Sequence, residues 1–206
     1  MILNPEIDSY IRRLHPASDA VLAEMEAEAA RRGIPIVGPV VGRLLAQLVM
    51  VSGSRRIFEL GSAIGYSTIW LARAAGPGAE VHYTDSSEAN AREARVWFER
   101  AGVAERVRIH VGEALQALAS VNGEFDLIFN DVDKESYLEV LALAPTRLRC
   151  GGLLVSDNAL WHGRVLAPAD APSHAVAEFN RRSFASEQLL TTLIPLRDGV
   201  LISMKR

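Results

Sequence analysis

Short apolar runs alternate with helix-like segments through the middle of the chain. Five runs of strand length lie between residues 56 and 156, and they read RIFEL, EVHYT, RVRIHV, FDLIFN and GLLVS. The segments between them have apolar residues at helical spacing, and they read YSTIWLARAA, EANAREARVWFERAG, EALQALAS and SYLEVLALAP. Strands that are apolar throughout and separated by crossover helices form a parallel sheet that is covered on both faces.

The two ends of the chain extend this pattern. Before the first strand we expect one helix that is capped by Ser18 and runs to about Arg32, and a second helix over VVGRLLAQLVMV. After Pro172, a helix over SHAVAEFNRRSF leads to the strands QLLTTLIPL and VLISMK. The dipeptide Asp198-Gly199 between these strands is a hairpin signal, so they should pair antiparallel.

Together these elements predict one α/β domain over residues 1–206. Its sheet is doubly wound, mostly parallel and seven-stranded, with an antiparallel C-terminal edge hairpin. Residues 1–50 form the N-terminal helices of this domain.

Composition narrows the class of protein. Hydrophobic residues make up 49% of the 206 residues, enough for a sizeable core, and the net charge of -3 gives no basic footprint for nucleic acid. The single cysteine cannot form an internal disulfide, and no apolar stretch reaches the roughly 20 residues of a membrane span. The start, MILNPEIDSYIRRL, lacks the order of a secretory signal. We expect a cytoplasmic protein without membrane contact, and nucleic acid is disfavoured as a partner unless a local basic patch exists.

Acidic residues recur where the predicted strands end. Glu59, Asp85, Asp131 and Asp157 each lie at or just after the end of an apolar run. The carboxyl ends of parallel strands meet at one edge of a sheet, where ligands of doubly wound domains bind. These four acids are therefore predicted to surround one site.

The stretch FELGSAIGYS places Glu59, Gly61 and Gly65 at a strand-to-helix turn. Glycines let the backbone approach a ligand closely, and a helix N-terminus offers unpaired N–H groups. The spacing differs from the G-x-G-x-x-G of dinucleotide-binding proteins. It favours a ligand that ends in an amino acid, whose amine the Glu59 carboxylate can hold. A turn needed only for packing is the alternative.

Asp85 ends the second strand, roughly 20 residues beyond the glycine turn, where an acid commonly accepts hydrogen bonds from ribose hydroxyls. The alternative is an acid that stabilises a helix N-terminus through the helix dipole without any ligand.

The fourth and fifth strands are followed by oxygen-bearing side chains. Asp131, Asp157 and Asn158 provide the ligands that hard divalent cations prefer. Lys134 lies three residues after Asp131, so a helical turn would direct both side chains to one pocket and Asp133 elsewhere. The alternatives are that Asp131 and Asp133 cap a helix and that Asp157 and Asn158 only form a turn.

Three motifs together resemble a known family. ELGSAIGYS, DVDKESY and SDNALWHGRV, followed by PLRDGV, are similar to the cation-dependent class I O-methyltransferases, the family of catechol and caffeoyl-CoA O-methyltransferases. The resemblance implies a Rossmann-like methyltransferase fold and S-adenosylmethionine as the cofactor. It also implies a divalent cation, with Mg²⁺ as first choice and Ca²⁺ or Mn²⁺ as alternatives. The implied partner is a small catechol-like or other chelating acceptor with a hydroxyl group.

The resemblance further implies roles for individual residues. Asp131, Asp157 and Asn158 would hold the cation, and Lys134 would be the catalytic base. The residues implied in binding S-adenosylmethionine are Glu59, Gly61, Ser62, Gly65, Ser67, Asp85, Gly112, Glu113, Ala114 and Asp131. Trp161 is a candidate wall for a planar acceptor, and packing of its loop is the alternative.

Some positions depart from the family pattern. Val132 and Asp133 stand where catechol O-methyltransferase has His and Trp, so that aromatic ring cannot flank the adenine here. Asn130 replaces an aliphatic residue, and its buried amide needs hydrogen-bond partners. The N-terminal region matches weakly, and the family carries its substrate-covering elements there. We expect residues 1–50 to act as a lid or dimer region in a homodimer.

Two other functions remain open from the sequence. One is a tRNA hydroxyuridine-type O-methyltransferase of the same family, which a basic rim around the site would support. The other is a non-catalytic S-adenosylmethionine-binding module. Lys134 and the full set of presumed cation ligands argue against the second, because a binding module has no need of a base.

Overall fold

The computed structural model describes residues 4–206; residues 1–3, part of the predicted domain and of its N-terminal region, lie outside the described residues. The helices are α1 (Pro5–Leu14), α2 (Ala20–Arg32), α3 (Gly38–Ser52), α4 (Tyr66–Ala75), α5 (Glu88–Arg100), α6 (Ala114–Ser120), α7 (Tyr137–Arg147) and α8 (Ala171–Ala185). The strands are β1 (Arg56–Leu60), β2 (Glu80–Asp85), β3 (Val107–Val111), β4 (Phe125–Asn130), β5 (Leu148–Ser156), β6 (Leu189–Ile194) and β7 (Val200–Lys205). Short 3₁₀ segments occupy Ala104–Arg106, Lys134–Ser136 and Trp161–Leu166.

All seven strands form one sheet, in the order β3-β2-β1-β4-β5-β7-β6. Strands β1 to β5 pair in parallel, whereas β7 is antiparallel to both β5 and β6. The strand order reverses between β1 and β4, which is the switch point where doubly wound sheets bind ligands. The predicted fold, including its antiparallel C-terminal hairpin, is confirmed.

Each face of the sheet has its own layer of helices. Ile57, Leu127 and Val155 point to one face, where they pack against helices α2 to α5. Phe58 and Leu154 point to the other face, towards α6 and α7. This alternation follows from the two-residue period of a strand, and burial on both faces explains why the strands are apolar throughout.

Two features of the N-terminal region differ from the sequence prediction. Helix α1 was not predicted, although Ile7, Tyr10 and Leu14 lie at helical spacing. Its other signals are the cap Asn4 and Pro5 in the first turn. Helix α2 is capped by Asp19 rather than Ser18. The Asp19 carboxylate accepts hydrogen bonds from the Val21 and Leu22 amides, while the Ser18 hydroxyl donates to Glu26.

The turn of the C-terminal hairpin is centred one residue earlier than predicted. The Gly199 amide donates to the Leu196 carbonyl oxygen at 2.8 Å, so Arg197 and Asp198 are the central residues. Arg197 has φ of 51°, in the left-handed region that normally favours Gly or Asn. Arg197 therefore has a backbone conformation that residues other than glycine and asparagine seldom adopt.

Within residues 4–206, no helix is both long enough and apolar enough to cross a membrane.

Candidate active site

Three strands end in register at the switch point, and this register builds the site. Leu60 pairs with Asn130, which in turn pairs with Ser156. The next residues continue the ladder of backbone hydrogen bonds. The Asp131 amide donates to the Leu60 carbonyl oxygen at 2.9 Å, and the Asp157 amide donates to the Asn130 carbonyl oxygen at 3.0 Å. Asp131 and Asp157 are therefore adjacent because two neighbouring strands end at the same level.

A cavity of about 570 Å³ opens above these strand ends. Among the predicted site residues, those that line it are Gly61, Asp85, Gly112, Glu113, Ala114, Asp131, Lys134, Asp157, Asn158 and Trp161. Glu59, Ser62, Gly65 and Ser67 do not line it. The structure thus brings the predicted cation ligands, base and ribose acid to one cavity.

The two aspartates form a largely buried acidic pair: Asp157 is 2% exposed and the Asp131 side chain is 27% exposed. Burial, and then the charge of Asp157, raise the pKa of Asp131 to about 7. Burial also raises the pKa of Asp157, and its Oδ1 atom has no hydrogen-bond partner within residues 4–206. Two adjacent carboxylates with an unpaired oxygen atom fit the binding of a divalent cation.

The residue types also fit an oxygen-ligated cation. No cluster of three or more His, Cys, Asp or Glu side chains suited to a metal occurs in the described part of the chain. The predicted set has only two such residues and takes its third oxygen from the amide of Asn158. Asn158 adopts φ of 54°, a conformation that asparagine tolerates better than most residues.

Lys134 lies beside this pair and is 8% exposed. Its Nζ atom donates to Asp131 Oδ1 at 3.2 Å and to the Val132 carbonyl oxygen at 3.0 Å. The same atom is 4.9 Å from the ring centroid of Tyr137 and 5.6 Å from that of Trp161. The predicted helical turn does not include Asp131, because the 3₁₀ segment begins at Lys134; the two side chains nevertheless meet. Asp133 was expected to point elsewhere but also lines the cavity.

A strained loop follows the second aspartate. Asn158, Trp161 and His162 all have positive φ. Asp198 anchors this loop: its carboxylate accepts a hydrogen bond from the His162 amide at 2.5 Å, and its carbonyl oxygen accepts one from the Leu160 amide at 2.8 Å. The hairpin turn therefore sets the position of Trp161 at the cavity wall.

The other end of the cavity lies above β1, β2 and β3. Asp85 Oδ1 accepts hydrogen bonds from the Ser87 amide and the Asn90 side chain, which orient the carboxylate. Gly112 has φ of 137°, and a Cβ atom there would meet nothing within 4 Å. At Gly61 a Cβ atom would lie 2.7 Å from the Asp131 carbonyl oxygen, so only glycine lets the two strand ends approach.

The predicted residues outside the cavity wall are buried behind it. Glu59 is fully buried, and burial raises its pKa to about 7 despite hydrogen bonding by neighbouring hydroxyls, including that of Thr68. Its Oε1 atom has no partner within residues 4–206. Ser62 bonds to the Thr84 backbone, and Gly65 is needed for packing because a Cβ atom there would lie 2.5 Å from Phe98.

The buried amide of Asn130 is only partly satisfied. Its Nδ2 atom donates to Ser156 Oγ at 3.2 Å, whereas its Oδ1 atom has no partner in the described chain.

Several cavity residues were not predicted from the sequence. They are Pro35, Ile36, Ala63, Thr84, Ser86, Val132, Leu115, Asp133, Glu135, Ser136, Pro172 and Arg197. Thr84 and Ser86 flank Asp85, so their closeness to a predicted residue was a usable signal. Ile36 and Arg197 come from distant parts of the chain, and no local pattern marks them.

Comparison with known proteins identifies the family. A family profile described as O-methyltransferase matches residues 15–206. The chain belongs to the O-methyltransferase family. A catechol O-methyltransferase of Mycobacterium tuberculosis is 37% identical to this enzyme over 169 residues, which are 81% of this chain and 77% of that protein. A catechol O-methyltransferase of Niastella koreensis is 34% identical over 166 residues, 78% and 75% of the two chains.

A solved structure agrees with these relatives. The O-methyltransferase TomG from Streptomyces achromogenes, in complex with SAM, superposes on this enzyme with a TM-score of 0.88 and is 29% identical; the match covers 97% of this chain and 96% of that one. The resemblance found in the sequence motifs is thereby confirmed at the level of family and fold. The enzyme is an S-adenosylmethionine-dependent O-methyltransferase.

Proposed function

We propose that this O-methyltransferase methylates a hydroxyl group of a small catechol-like or other chelating acceptor and uses a divalent cation to do so. The observation that carries the proposal is the largely buried pair Asp131 and Asp157, which meets at the cavity floor with Lys134 beside it. The two relatives named catechol O-methyltransferase support the acceptor class.

The cavity end above β1 to β3 is suited to S-adenosylmethionine. Asp85 would accept hydrogen bonds from the ribose hydroxyls, and the open space at Gly112 leaves room for the adenine, bordered by Glu113 and Ala114. Gly61 and the α4 N-terminus would face the amino acid end. Because Glu59, Ser62, Gly65 and Ser67 lie behind the wall, Glu59 would reach the amine only through a bridging water or after a side-chain movement.

The opposite end of the cavity would hold the cation and the acceptor. Asp131, Asp157 and Asn158 would bind the cation, which lowers the pKa of a nearby hydroxyl and orients a chelating pair of oxygens. A free phenol has a pKa near 10, so only about one molecule in a thousand is ionised at neutral pH. Full ionisation of the bound hydroxyl would lower the free-energy barrier by about 4 kcal/mol.

Lys134, in its neutral form, would take the proton that the acceptor hydroxyl loses. Two contacts of its Nζ atom, to Asp131 and to the Val132 carbonyl, direct it towards the cavity. S-adenosylmethionine supplies a methyl group on a positively charged sulfur, so a new O–C bond forms as the S–C bond breaks. Trp161 and the strand ends would hold the acceptor oxygen in line with that bond, and positioning of this kind contributes up to roughly 7–11 kcal/mol.

The N-terminal helices would complete the site as a lid or dimer contact. Helix α1 buries no residue and exposes Ile7, Tyr10 and Leu14, which are 50%, 54% and 64% exposed. Such an uncovered apolar stripe supports a homodimer, and sedimentation of the full chain compared with a Tyr10→Glu variant would test this.

A turnover assay tests the proposed reaction directly. The enzyme would be incubated with S-adenosylmethionine and catechol after removal of metal by EDTA, and formation of S-adenosylhomocysteine would be followed with and without added Mg²⁺. We expect activity only with Mg²⁺. Full activity after rigorous chelation would contradict the cation, and methylation of tRNA but not of catechol would favour the RNA-modifying alternative.

A further inference from the structure

The acceptor end of the cavity contains a guanidinium group that the proposed reaction does not use. Arg197, from the turn between β6 and β7, lines the cavity together with Trp161 and Asn158. Arg197 therefore shares the cavity with the residues proposed to hold the cation and the acceptor.

One nitrogen atom of Arg197 has a structural partner, and the others do not. Its Nη1 atom donates to the carbonyl oxygens of Ile36, at 3.0 Å, and of Val37. The Nε and Nη2 atoms donate to no group within residues 4–206, and neither atom is fully buried. The backbone bonds thus fix the guanidinium in position and leave its other donors available to a ligand.

The backbone at Arg197 supports a functional reason for this residue. A φ of 51° is unfavourable for a residue other than glycine, and retained strain of this kind is typical of ligand sites. A glycine or asparagine would form the same turn without that cost but would place no cation at the cavity.

We propose that Arg197 recognises a carboxylate on the acceptor, so that the preferred substrate is an aromatic diol that also carries a carboxylate group. This inference rests on the proposed function and names the substrate class of the same site. The planar fork of a guanidinium matches the two oxygens of a carboxylate, and an arginine that is already held in place loses little entropy on binding it. The ring of the acceptor would lie between Trp161 and the apolar residues Pro35 and Pro172.

Two acids set the condition that this recognition must meet. Asp133 and Glu135 also line the cavity, on the turn that carries Lys134. A carboxylate on the acceptor is favoured only if it lies nearer to Arg197 than to these acids. Arg197 is tied to the segment at Ile36 and not to that turn, so we expect the diol to face Lys134 and the carboxylate to face Arg197.

The test compares two acceptors that differ only in charge. 3,4-Dihydroxybenzoate and 3,4-dihydroxybenzamide have nearly the same shape, and kcat/KM would be measured for both with wild type, Arg197→Gln and Arg197→Lys. We expect the wild type to prefer the carboxylate by about tenfold or more, the size of a charge-assisted hydrogen bond. Arg197→Gln should remove this preference by lowering kcat/KM at least about tenfold more for the carboxylate than for the amide, and Arg197→Lys should keep part of it. Arg164→Gln is the matched control, because Arg164 pairs with Asp170 outside the cavity wall.

Other outcomes would overturn the proposal. If the wild type has equal kcat/KM for the two acceptors, carboxylate recognition is excluded. This comparison needs no variant protein. An equal loss with both acceptors in Arg197→Gln assigns Arg197 to holding the Ile36 segment alone.

A binding measurement separates this inference from the proposed function. Calorimetric titration of each acceptor into enzyme with Mg²⁺ and S-adenosylhomocysteine reports affinity without turnover. If the enzyme methylates neither compound, the proposed acceptor class fails, yet an Arg197-dependent preference for binding the carboxylate still supports the inference. Equal affinities of both compounds for the wild type contradict it.

Discussion

The Nζ atom of Lys134 lies 3.2 Å from Oδ1 of Asp131, so the presumed base touches a presumed cation ligand. A base must be the neutral amine, which has two N–H donors and one lone pair, and the two contacts of Nζ, with Asp131 and with the Val132 carbonyl oxygen, use both donors. The lone pair is left for the cavity that both residues line. This arrangement gives proton removal and cation binding one common location.

Replacement of Lys134 should impair proton removal without weakening the binding of S-adenosylmethionine. We expect Lys134→Ala to lower kcat by at least about tenfold, because general bases contribute roughly 10²–10⁴-fold, while the affinity for S-adenosylmethionine changes little. Lys134→Arg is the matched control, since it keeps the positive charge but cannot accept a proton at neutral pH. Steady-state rates and calorimetric donor affinity check this. If Lys134→Arg retained wild-type turnover, a purely electrostatic role would replace that of a base.

The central part of the site could be predicted because it depends on strand ends. An apolar run followed by an acid marks the end of a buried strand, and parallel strands bring their ends to one edge. Asp131 and Asp157 follow this rule through the register of Asn130 with Ser156. Asp85, at the end of β2, lies at the cavity for the same reason.

Other residues could not be placed because their positions depend on contacts between distant segments. Arg197 reaches the cavity through a turn with positive φ and through bonds to Ile36, about which the local sequence contains no information. Glu59 illustrates the opposite error: it has the right residue type in the right motif, yet its side chain points into the core instead of the cavity. A motif gives the turn, whereas the direction of each side chain depends on packing.

Stabilisation of the enzyme by Mg²⁺ should depend on pH. Burial and the charge of Asp157 raise the pKa of Asp131 to about 7 from its ordinary value of 3.8, so the contribution of Asp131 to the unfolding free energy of the metal-free protein should fall as pH rises from about 4 to 7. A cation needs the ionised pair and must displace a proton at low pH. Mg²⁺ at about 100 times its Kd adds about 2.7 kcal/mol, which corresponds to roughly 5–10 °C in Tm. We expect this full rise at pH 8 and a smaller one at pH 6 by differential scanning fluorimetry.

Two variants control this measurement. Asp157→Asn should abolish the Mg²⁺-induced rise at both pH values, because it removes one ligand and the repulsion that raises the pKa of Asp131. Asp133→Asn changes an acid that lines the same cavity but is not a proposed ligand, so its response should match the wild type. An equal Mg²⁺ effect at pH 6 and pH 8 in the wild type would show that the cation does not compete with a proton here.

A histidine pair on the other face of the sheet should make the fold sensitive to acid. His82 Nδ1 lies 2.8 Å from His110 Nε2, and His82 Nε2 lies 2.6 Å from a Glu80 carboxylate oxygen. When both histidines are neutral, the Nε2–H group of His82 donates a hydrogen bond to the Glu80 carboxylate. The Nε2–H group of His110 donates one to Nδ1 of His82. The His82 ring also stacks on Phe58 at a centroid distance of 5.3 Å. Burial therefore lowers the pKa of both histidines below their ordinary value of 6.5.

The sign of the pH effect follows from proton binding. Below pH 6.5 the unfolded chain binds protons that the folded pair refuses, so the stability present above pH 6.5 should be lost as pH falls towards the lowered pKa values. Each histidine contributes at most about 1.4 kcal/mol per pH unit to this slope. From pH 7 to pH 5, we expect the change in unfolding free energy measured with urea to be less negative for His82→Phe than for the wild type. His174→Gln, which changes an exposed histidine on α8, should keep the wild-type slope. Because the comparison uses slopes instead of absolute stabilities, a general packing effect of the new phenylalanine cannot imitate the result; parallel pH profiles in wild type and His82→Phe would contradict it.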